Sequence, residues 1–212
     1  MKNTEDDSIR DMVKNLYESS VDAVYSLAIT GGGVKSVDWL LSVPGASNRI
    51  LEVVVPYSEP SLTEYLGKSM KKSVSLETAL LLAEKAYQEA IRKHSDMINY
   101  IGIGLTASLN TNRFKRSQNK FYMVAKTNKM VLGYCVIFRK GLRDRISEDN
   151  TTSRAVVSLM YEAAGLNNDI DINLTNQDKI IKYSNLESFI EKFFEGEINY
   201  VYVDPTGLAS DS

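Results

Sequence analysis

The sequence predicts a single α/β domain with a mixed sheet covered by helices. Short apolar segments with strand-like composition alternate with amphipathic segments that have helical spacing along most of the chain. One pair of adjacent strand segments is separated by only two residues, which is typical of a hairpin. Helical crossovers give parallel strands and a hairpin gives antiparallel ones, so the sheet should contain both kinds. The chain has neither an internal repeat nor a clear linker, which favours one domain over residues 1–212.

The predicted helices follow from the spacing of apolar residues and from their capping residues. The clearest helix begins at Ser75, and leucine and alanine residues recur on one of its faces. Pro60 suits the first turn of a short helix that Gly67 ends. The predicted helices cover residues 8–20, 34–43, 60–66, 75–93, 148–166 and 186–194.

The predicted strands are short segments rich in β-branched and aromatic residues. Pro56 stops the second of them, and Gly102 and Gly104 in the third allow a neighbouring element to approach closely. Asn128 and Lys129 separate the two strands of the hairpin. The predicted strands cover residues 24–29, 49–55, 100–105, 120–127, 130–140 and 198–203, and the asparagine- and aspartate-rich segment 167–176 is predicted to be a loop.

The composition is ordinary for a globular protein and argues against several classes of function. With 212 residues and a net charge of -2, the chain has no electrostatic attraction to nucleic acid or to an anionic membrane. A single cysteine, Cys135, and a single histidine, His94, exclude an internal disulfide and a Cys/His zinc site. The polar N-terminus is no secretory signal, and no apolar run reaches the roughly 20 residues that span a bilayer. We therefore expect a cytoplasmic protein without a metal or a cofactor.

The first candidate site is a turn of three consecutive glycines, Gly31, Gly32 and Gly33, between a strand and a helix. Amides at the start of a helix point outward, glycine lets a ligand approach them, and the helix dipole favours negative charge there. Thr30 adds a hydroxyl, and Lys35 adds a positive charge. The spacing matches neither of the common phosphate-binding glycine motifs. A tight strand-to-helix connection is therefore the simpler interpretation, and ligand binding stays open.

The glycine turn is one member of a longer series of motifs. TGG at 30–32 is followed by VPGAS at 43–47, VVPYS at 54–58, LG at 66–67, VSLETALLLAEKA at 74–86, GLTASL at 104–109 and the helix around Arg154. In this order and spacing, the series resembles the CinA C-terminal domain family, the nicotinamide-nucleotide amidohydrolases. It looks closest to the divergent eukaryotic branch of that family. The resemblance covers about residues 21–166, and a helix–strand extension would follow over about 167–203.

The resemblance implies a three-layer α/β/α sandwich, a ligand like nicotinamide mononucleotide, and a place in NAD metabolism. It also implies hydrolysis of a carboxamide to a carboxylate with release of ammonia, which requires a nucleophile, a base and an oxyanion hole. In the family, a serine at the strand end acts as the nucleophile and a lysine as its base. Here those two positions hold Ala28 and Leu62, which can neither attack nor accept a proton.

Two hypotheses follow from these departures. The first is a non-catalytic or altered nucleotide-binding protein, a pseudoenzyme. The second is an active amidohydrolase on nicotinamide mononucleotide or a related nucleotide, with Thr30 or Ser58 as its nucleophile. Since family members associate through this domain, the resemblance also implies a homo-oligomer, most simply a dimer. The expected ligand-binding residues are Thr30, Gly31, Gly32, Gly33, Tyr57, Ser58, Thr106 and Arg154.

Overall fold

The computed structural model describes residues 5–94, 99–112, 116–184, 202–203 and 209–210. The predicted helix 186–194 and most of the predicted strand 198–203 lie outside the described residues. The helices are α1 (Glu5–Glu18), α2 (Lys35–Leu41), α3 (Glu59–Leu66), α4 (Leu76–Lys93) and α5 (Arg145–Ala163). The strands are β1 (Ala23–Thr30), β2 (Ile50–Val54), β3 (Asn99–Ser108), β4 (Lys120–Lys126), β5 (Val131–Ile137), β6 (Lys179–Ser184), β7 (Tyr202–Val203) and β8 (Ala209–Ser210).

The main sheet has six strands in the order β2-β1-β3-β4-β5-β6. The strands β2, β1 and β3 are parallel, whereas β4, β5 and β6 form an antiparallel meander beside them. The β4–β5 connection is the predicted hairpin, closed by a hydrogen bond from the Thr127 amide to the Met130 carbonyl. The mixed sheet predicted from the sequence is therefore confirmed.

Helices cover both faces of this sheet. On one face α4 packs so closely on β3 that a Cβ added at Gly104 would lie 2.2 Å from the Ala79 carbonyl oxygen. The intervening side chains of β3, including Ile101 and Ile103, enter the main apolar core on the opposite face, together with residues of α1, α2 and α5. This alternation along β3 builds a three-layer α/β/α sandwich, as expected.

Several elements differ from the sequence prediction, and two of the differences have a clear physical reason. α5 begins at Arg145, three residues earlier than predicted, because the Asp144 side chain caps it by accepting a hydrogen bond from the Ser147 amide at 2.8 Å. β6 was not predicted. Most of its side chains are exposed, so they give no apolar period, and pairing with β5 is what makes this segment a strand.

Within the part of the chain that the structure describes, no helix combines the length and the apolar character needed to cross a membrane. Cys135 lies in β5 and is buried, and burial raises the pKa of its thiol. A buried thiol with a raised pKa is expected to be unreactive.

Candidate functional site

The glycine turn lies at the carboxyl end of β1, and a carboxylate from α5 closes it. The Gly33 amide donates a hydrogen bond to Asp149 Oδ1 at 2.7 Å, and the Lys35 amide donates a longer one to Asp149 Oδ2 at 3.4 Å. The expectation that the turn offers a bare amide at Gly33 is therefore wrong, because the protein supplies its own anion there. The Lys35 ammonium is also engaged, since it pairs with Asp6 Oδ1 of α1 at 2.6 Å.

Close packing explains why the turn consists of glycines. Gly31 has a φ of 79°, and a Cβ at this position would lie 2.0 Å from the Ala107 carbonyl oxygen. A Cβ at Gly32 would lie 2.6 Å from Leu109 Cδ1. At Gly31 the backbone of the turn thus passes against the Ala107 backbone at a distance that no side chain permits, whereas at Gly32 the Leu109 side chain would have to move. The interpretation as a tight connection accounts for both residues without a ligand.

The two threonines of the predicted site are register partners on neighbouring strands, and both are buried. Thr30 Oγ1 donates to the Pro56 carbonyl oxygen at 2.9 Å, and Thr106 Oγ1 donates to the Ser73 carbonyl oxygen at 2.5 Å. These bonds tie the ends of β1 and β3 to the loops that follow β2 and precede α4. The structure brings the two residues together, with both hydroxyls engaged in holding the backbone.

Tyr57 and Ser58 follow β2 at the same edge of the sheet, and both are exposed. The Tyr57 hydroxyl accepts a hydrogen bond from Arg145 Nη2 at 3.1 Å. Ser58 is the N-cap of α3, where its Oγ accepts a hydrogen bond from the Ser61 amide at 3.3 Å. Tyr57 therefore reaches the side of the cleft formed by α5, whereas the Ser58 side chain starts a helix.

Arg145, which the sequence did not single out, joins three segments at the carboxyl ends of the parallel strands. Besides Tyr57, its guanidinium donates to the Gly31 carbonyl oxygen at 3.4 Å and to the Asn110 carbonyl oxygen at 3.2 Å. It lies in a stretch of alternating charges that is typical of a surface connection. A signal was nevertheless present, because Asp144 is a good N-cap residue and places Arg145 in the first turn of a helix.

An open groove of about 350 Å³ lies beside this arginine. Its lining residues come from the loop after β3 and from the start of α5: Asn110, Thr111, Asn112, Asp144 and Arg145. Hydrogen bonds from the side chain and amide of Ser147 lower the pKa of Asp144. The groove thus presents one cationic and one anionic side chain together with amide and hydroxyl groups.

A buried carboxylate, that of Glu148, holds the loop that lines this groove. Glu148 accepts a hydrogen bond from the Asn110 amide at 2.6 Å and another from Asn119 Nδ2 at 2.8 Å. The Asn110 side chain in turn donates to the Arg143 carbonyl oxygen at 3.0 Å. The loop after β3 and the first turn of α5 are therefore one connected unit, and the position of Arg145 is set by it.

Arg154 is not part of this cleft. It lies five residues after Asp149 on α5, so it leaves the helix on a different side. Its Nε donates a hydrogen bond to the Asp171 carbonyl oxygen at 2.6 Å, in the loop between α5 and β6. The structure does not bring Arg154 to the glycine turn, and its observed contact is with that loop.

Ala28 and Leu62, the positions at which the resemblance implies a nucleophile and a base, lie in one buried apolar cluster. Ala28 is 0% exposed and Leu62 is 3% exposed, and the cluster also contains Leu82 and Ala86 of α4. The fold thus brings the two positions into the same cluster, as a nucleophile and base would require. Aliphatic groups occupy both, and α3 and α4 enclose them.

The protein is a three-layer α/β/α sandwich. Its cleft lies outside the carboxyl ends of the parallel strands, which is a common position for ligands in such sheets. No protein-family model matches the sequence, and no curated protein is significantly similar to it. No group of three or more histidine, cysteine, aspartate or glutamate side chains that could hold a metal ion occurs among the residues described above.

Solved structures identify the fold. The competence/damage-inducible protein CihA from Agrobacterium tumefaciens is 16% identical, with a TM-score of 0.56, over 77% of this chain and 98% of that one. A competence or damage-inducible protein from Enterobacter asburiae is 14% identical, with a TM-score of 0.55, over 74% and 96%. A CinA superfamily protein from Escherichia coli is 13% identical, with a TM-score of 0.50, over 73% and 86%. The chain has the CinA fold, as the motif series predicted.

Proposed function

We propose that this CinA-fold protein binds a nucleotide-like small molecule, such as nicotinamide mononucleotide, and does not hydrolyse it. The observation that carries the proposal is the closed apolar cluster around Ala28 and Leu62. Hydrolysis of an amide requires a nucleophile and a base within hydrogen-bond reach of each other. Neither an alanine nor a leucine supplies one, and burial of both leaves no polar group at the position of the implied dyad.

The hydroxyls that remain near the cleft support the same conclusion. Thr30 and Thr106 donate to backbone carbonyls, and the Ser58 side chain caps α3. A catalytic hydroxyl would instead donate its proton to a base, and the two threonine hydroxyls already donate theirs to carbonyls. Each of these side chains thus has a structural role that accounts for its presence.

The groove beside Arg145 supports the binding part of the proposal. Arginine recognises phosphate and carboxylate groups through its planar fork of donors. The Tyr57 ring, 61% exposed, is available for contact with a planar base, and its hydroxyl is held by the same guanidinium. A nucleotide that places its phosphate at Arg145 and its base near Tyr57 would satisfy both groups.

The test is a calorimetric titration of the full chain with nicotinamide mononucleotide, combined with an assay for released ammonia. We expect binding without turnover, and affinity about tenfold weaker in Arg145→Ala, since a charge-assisted hydrogen bond contributes roughly 1.5–3 kcal/mol. Arg92→Ala is the matched control, because Arg92 is an exposed arginine on α4, away from the groove, and its hydrogen-bonded partner Glu89 lies on the same helix.

Two results would contradict the proposal. Ammonia release that disappears in Thr30→Ala or Ser58→Ala would establish the alternative, an amidohydrolase with a different hydroxyl nucleophile. If the protein bound no pyridine or adenine nucleotide, the proposal that its ligand is a nucleotide would be wrong.

We also propose that the protein is a homo-oligomer, most simply a dimer. Light scattering should then give a mass of twice the 23.7 kDa of one chain. A mass equal to one chain at high protein concentration would contradict this part of the proposal.

A further inference from the structure

The guanidinium of Arg145 is already engaged by acceptors of the protein itself. Its Nη2 donates to the Tyr57 hydroxyl at 3.1 Å and to the Gly31 carbonyl oxygen at 3.4 Å. Its Nη1 donates to the Asn110 carbonyl oxygen at 3.2 Å. A guanidinium has five N–H donors. Within the described part of the chain, the remaining two, one on Nε and one on Nη1, have no acceptor.

An anion that binds this arginine through two parallel hydrogen bonds needs Nη2. The two edges of a guanidinium that bind a phosphate or a carboxylate in this way are Nε with Nη2 and Nη1 with Nη2. Both edges contain Nη2, and both of its hydrogens are in use. One of the two acceptors on Nη2 must therefore leave before such an anion can bind.

Tyr57 is the acceptor that is free to leave. Its side chain is 61% exposed and lies in the loop between β2 and α3, so that it can rotate into solvent. The Gly31 carbonyl belongs to a backbone packed against β3, since a Cβ at Gly31 would lie 2.0 Å from the Ala107 carbonyl oxygen. An anionic oxygen adds the attraction between opposite charges, which the phenol hydroxyl lacks. A neutral acceptor has no such advantage over the hydroxyl.

We propose that Tyr57 is a specificity-determining residue, whose hydroxyl occupies the anion position on Arg145 in the free protein and yields it only to a negatively charged acceptor. This inference rests on the proposed function and narrows the ligand class. The ligand carries an anionic group with two oxygens side by side, as in a phosphate, which replaces the hydroxyl on Nη2.

The substitution Tyr57→Phe isolates the hydroxyl, because phenylalanine keeps the ring. The matched control is Tyr100→Phe. It also removes a tyrosine hydroxyl with a hydrogen bond to the backbone, in this case to the His94 carbonyl oxygen at 2.6 Å. Tyr100 lies near the start of β3, at the end of the sheet opposite to the cleft.

The experiment is a calorimetric titration of the full chain with nicotinamide mononucleotide. We expect Tyr57→Phe to bind it about threefold more tightly than the wild-type protein, because no hydrogen bond has to be broken first. Tyr100→Phe should leave the affinity unchanged. In the Arg145→Ala background, Tyr57→Phe should have no effect, since the two residues act as a pair. Nicotinamide riboside, which lacks the phosphate, should gain nothing from Tyr57→Phe.

Three results would overturn the role of Tyr57 and leave the proposed function intact. They are equal or weaker binding of the mononucleotide to Tyr57→Phe, the same gain in the Arg145→Ala background, and an equal gain for the riboside. If neither the wild-type protein nor Tyr57→Phe binds the mononucleotide, the proposed function is wrong and this inference fails with it.

A second measurement needs no substitution at Tyr57. In wild-type protein with ¹³C at the tyrosine Cζ, the carbon that bears the hydroxyl, the NMR signal of Tyr57 should move towards its position in Arg145→Ala when the mononucleotide binds. A signal that stays in place on binding would mean that the hydroxyl remains on Arg145, and the inference would be wrong.

Discussion

The Gly33 amide donates a hydrogen bond to the Asp149 carboxylate at 2.7 Å, although the two residues are 116 positions apart in the sequence. This contact connects the strand-to-helix turn at the end of β1 to α5 on the same side of the sheet. The position that resembles an anion-binding turn therefore holds an internal anion. A ligand in this cleft must bind beside the turn, near Arg145, and not at the amide of Gly33.

We expect Gly31→Ala to destabilise the protein by more than about 3 kcal/mol. A Cβ at this position would lie 2.0 Å from the Ala107 carbonyl oxygen, and the backbone has a φ of 79°. Gly141→Ala is the matched control, because Gly141 has a φ of 84° and no atom within 4 Å of an added Cβ. It should cost only about 1 kcal/mol, the strain of the left-handed conformation. Urea unfolding followed by circular dichroism measures both, and equal costs would show that the contact with β3 is not tight.

Arg49, whose side chain is largely buried, should contribute strongly to stability. Its guanidinium donates hydrogen bonds to four backbone carbonyl oxygens around the end of α1 and the start of β1, those of Tyr17, Ser19, Val21 and Ala23. We expect Arg49→Ala to lower the free energy of unfolding by about 2 kcal/mol, because these carbonyls lose their donors.

Arg49→Lys should recover less than half of that loss, since an ammonium cannot reach four carbonyls in a fork. Thermal and urea unfolding of both variants give the comparison, with Arg92→Ala as the control that should change stability little. Full recovery by lysine would mean that only the charge matters.

Asp178 should make stability depend on pH in the acid range. Burial by itself raises the pKa of this carboxyl, but hydrogen bonds from Arg143 and from the amides of Arg139 and Thr175 outweigh it and lower the pKa to about 2. Its ordinary value is 3.8. A group with a lowered pKa in the folded state stabilises it at any pH above the ordinary value. That contribution, about 2 kcal/mol, is lost as the pH falls from about 4 to about 2.

Asp178→Asn should therefore be less stable than the wild-type protein at neutral pH. The difference should narrow as the pH falls towards 2, because the wild-type carboxyl becomes protonated as well. Urea unfolding across this pH range measures the difference, and Asp169→Asn, which changes an exposed aspartate in the loop after α5, should run parallel to the wild-type protein. If the difference in unfolding free energy between Asp178→Asn and the wild-type protein stays constant with pH, the ion pair of Arg143 with Asp178 is not the source of the pH dependence.

Restoring the implied catalytic pair should not restore catalysis. Ala28→Ser with Leu62→Lys places a hydroxyl and an ammonium in the apolar cluster with Leu82 and Ala86. We expect a loss of several kcal/mol of stability, since an unpaired buried charge is costly. We also expect no release of ammonia from nicotinamide mononucleotide. Turnover by the double variant would show that the cluster opens to substrate, and the proposal of a binding protein would then need revision.

The sequence determined the elements and the fold class. Helical spacing at 75–93 and the β-branched composition at 49–55 depend on neighbours a few positions away, so α4 and β2 were predicted close to their observed bounds. The motif series at 30–32, 43–47 and 54–58 indicated the CinA fold, which the solved structures confirm. β6 was missed because its exposed side chains carry no period and its partner, β5, supplies the hydrogen bonds.

Only the tertiary structure decided the content of the cleft. Gly33 is 116 positions from Asp149, and Gly31 is 114 positions from Arg145. No local pattern in the sequence indicates that α5 returns to the end of β1. The physical reason is that hydrogen bonds and charge pairs depend on distances in space, which chain spacing does not encode beyond one or two helical turns. The sequence predicted the position of the glycine turn. The packing of α5 against that turn decided that the Gly33 amide is bonded to Asp149.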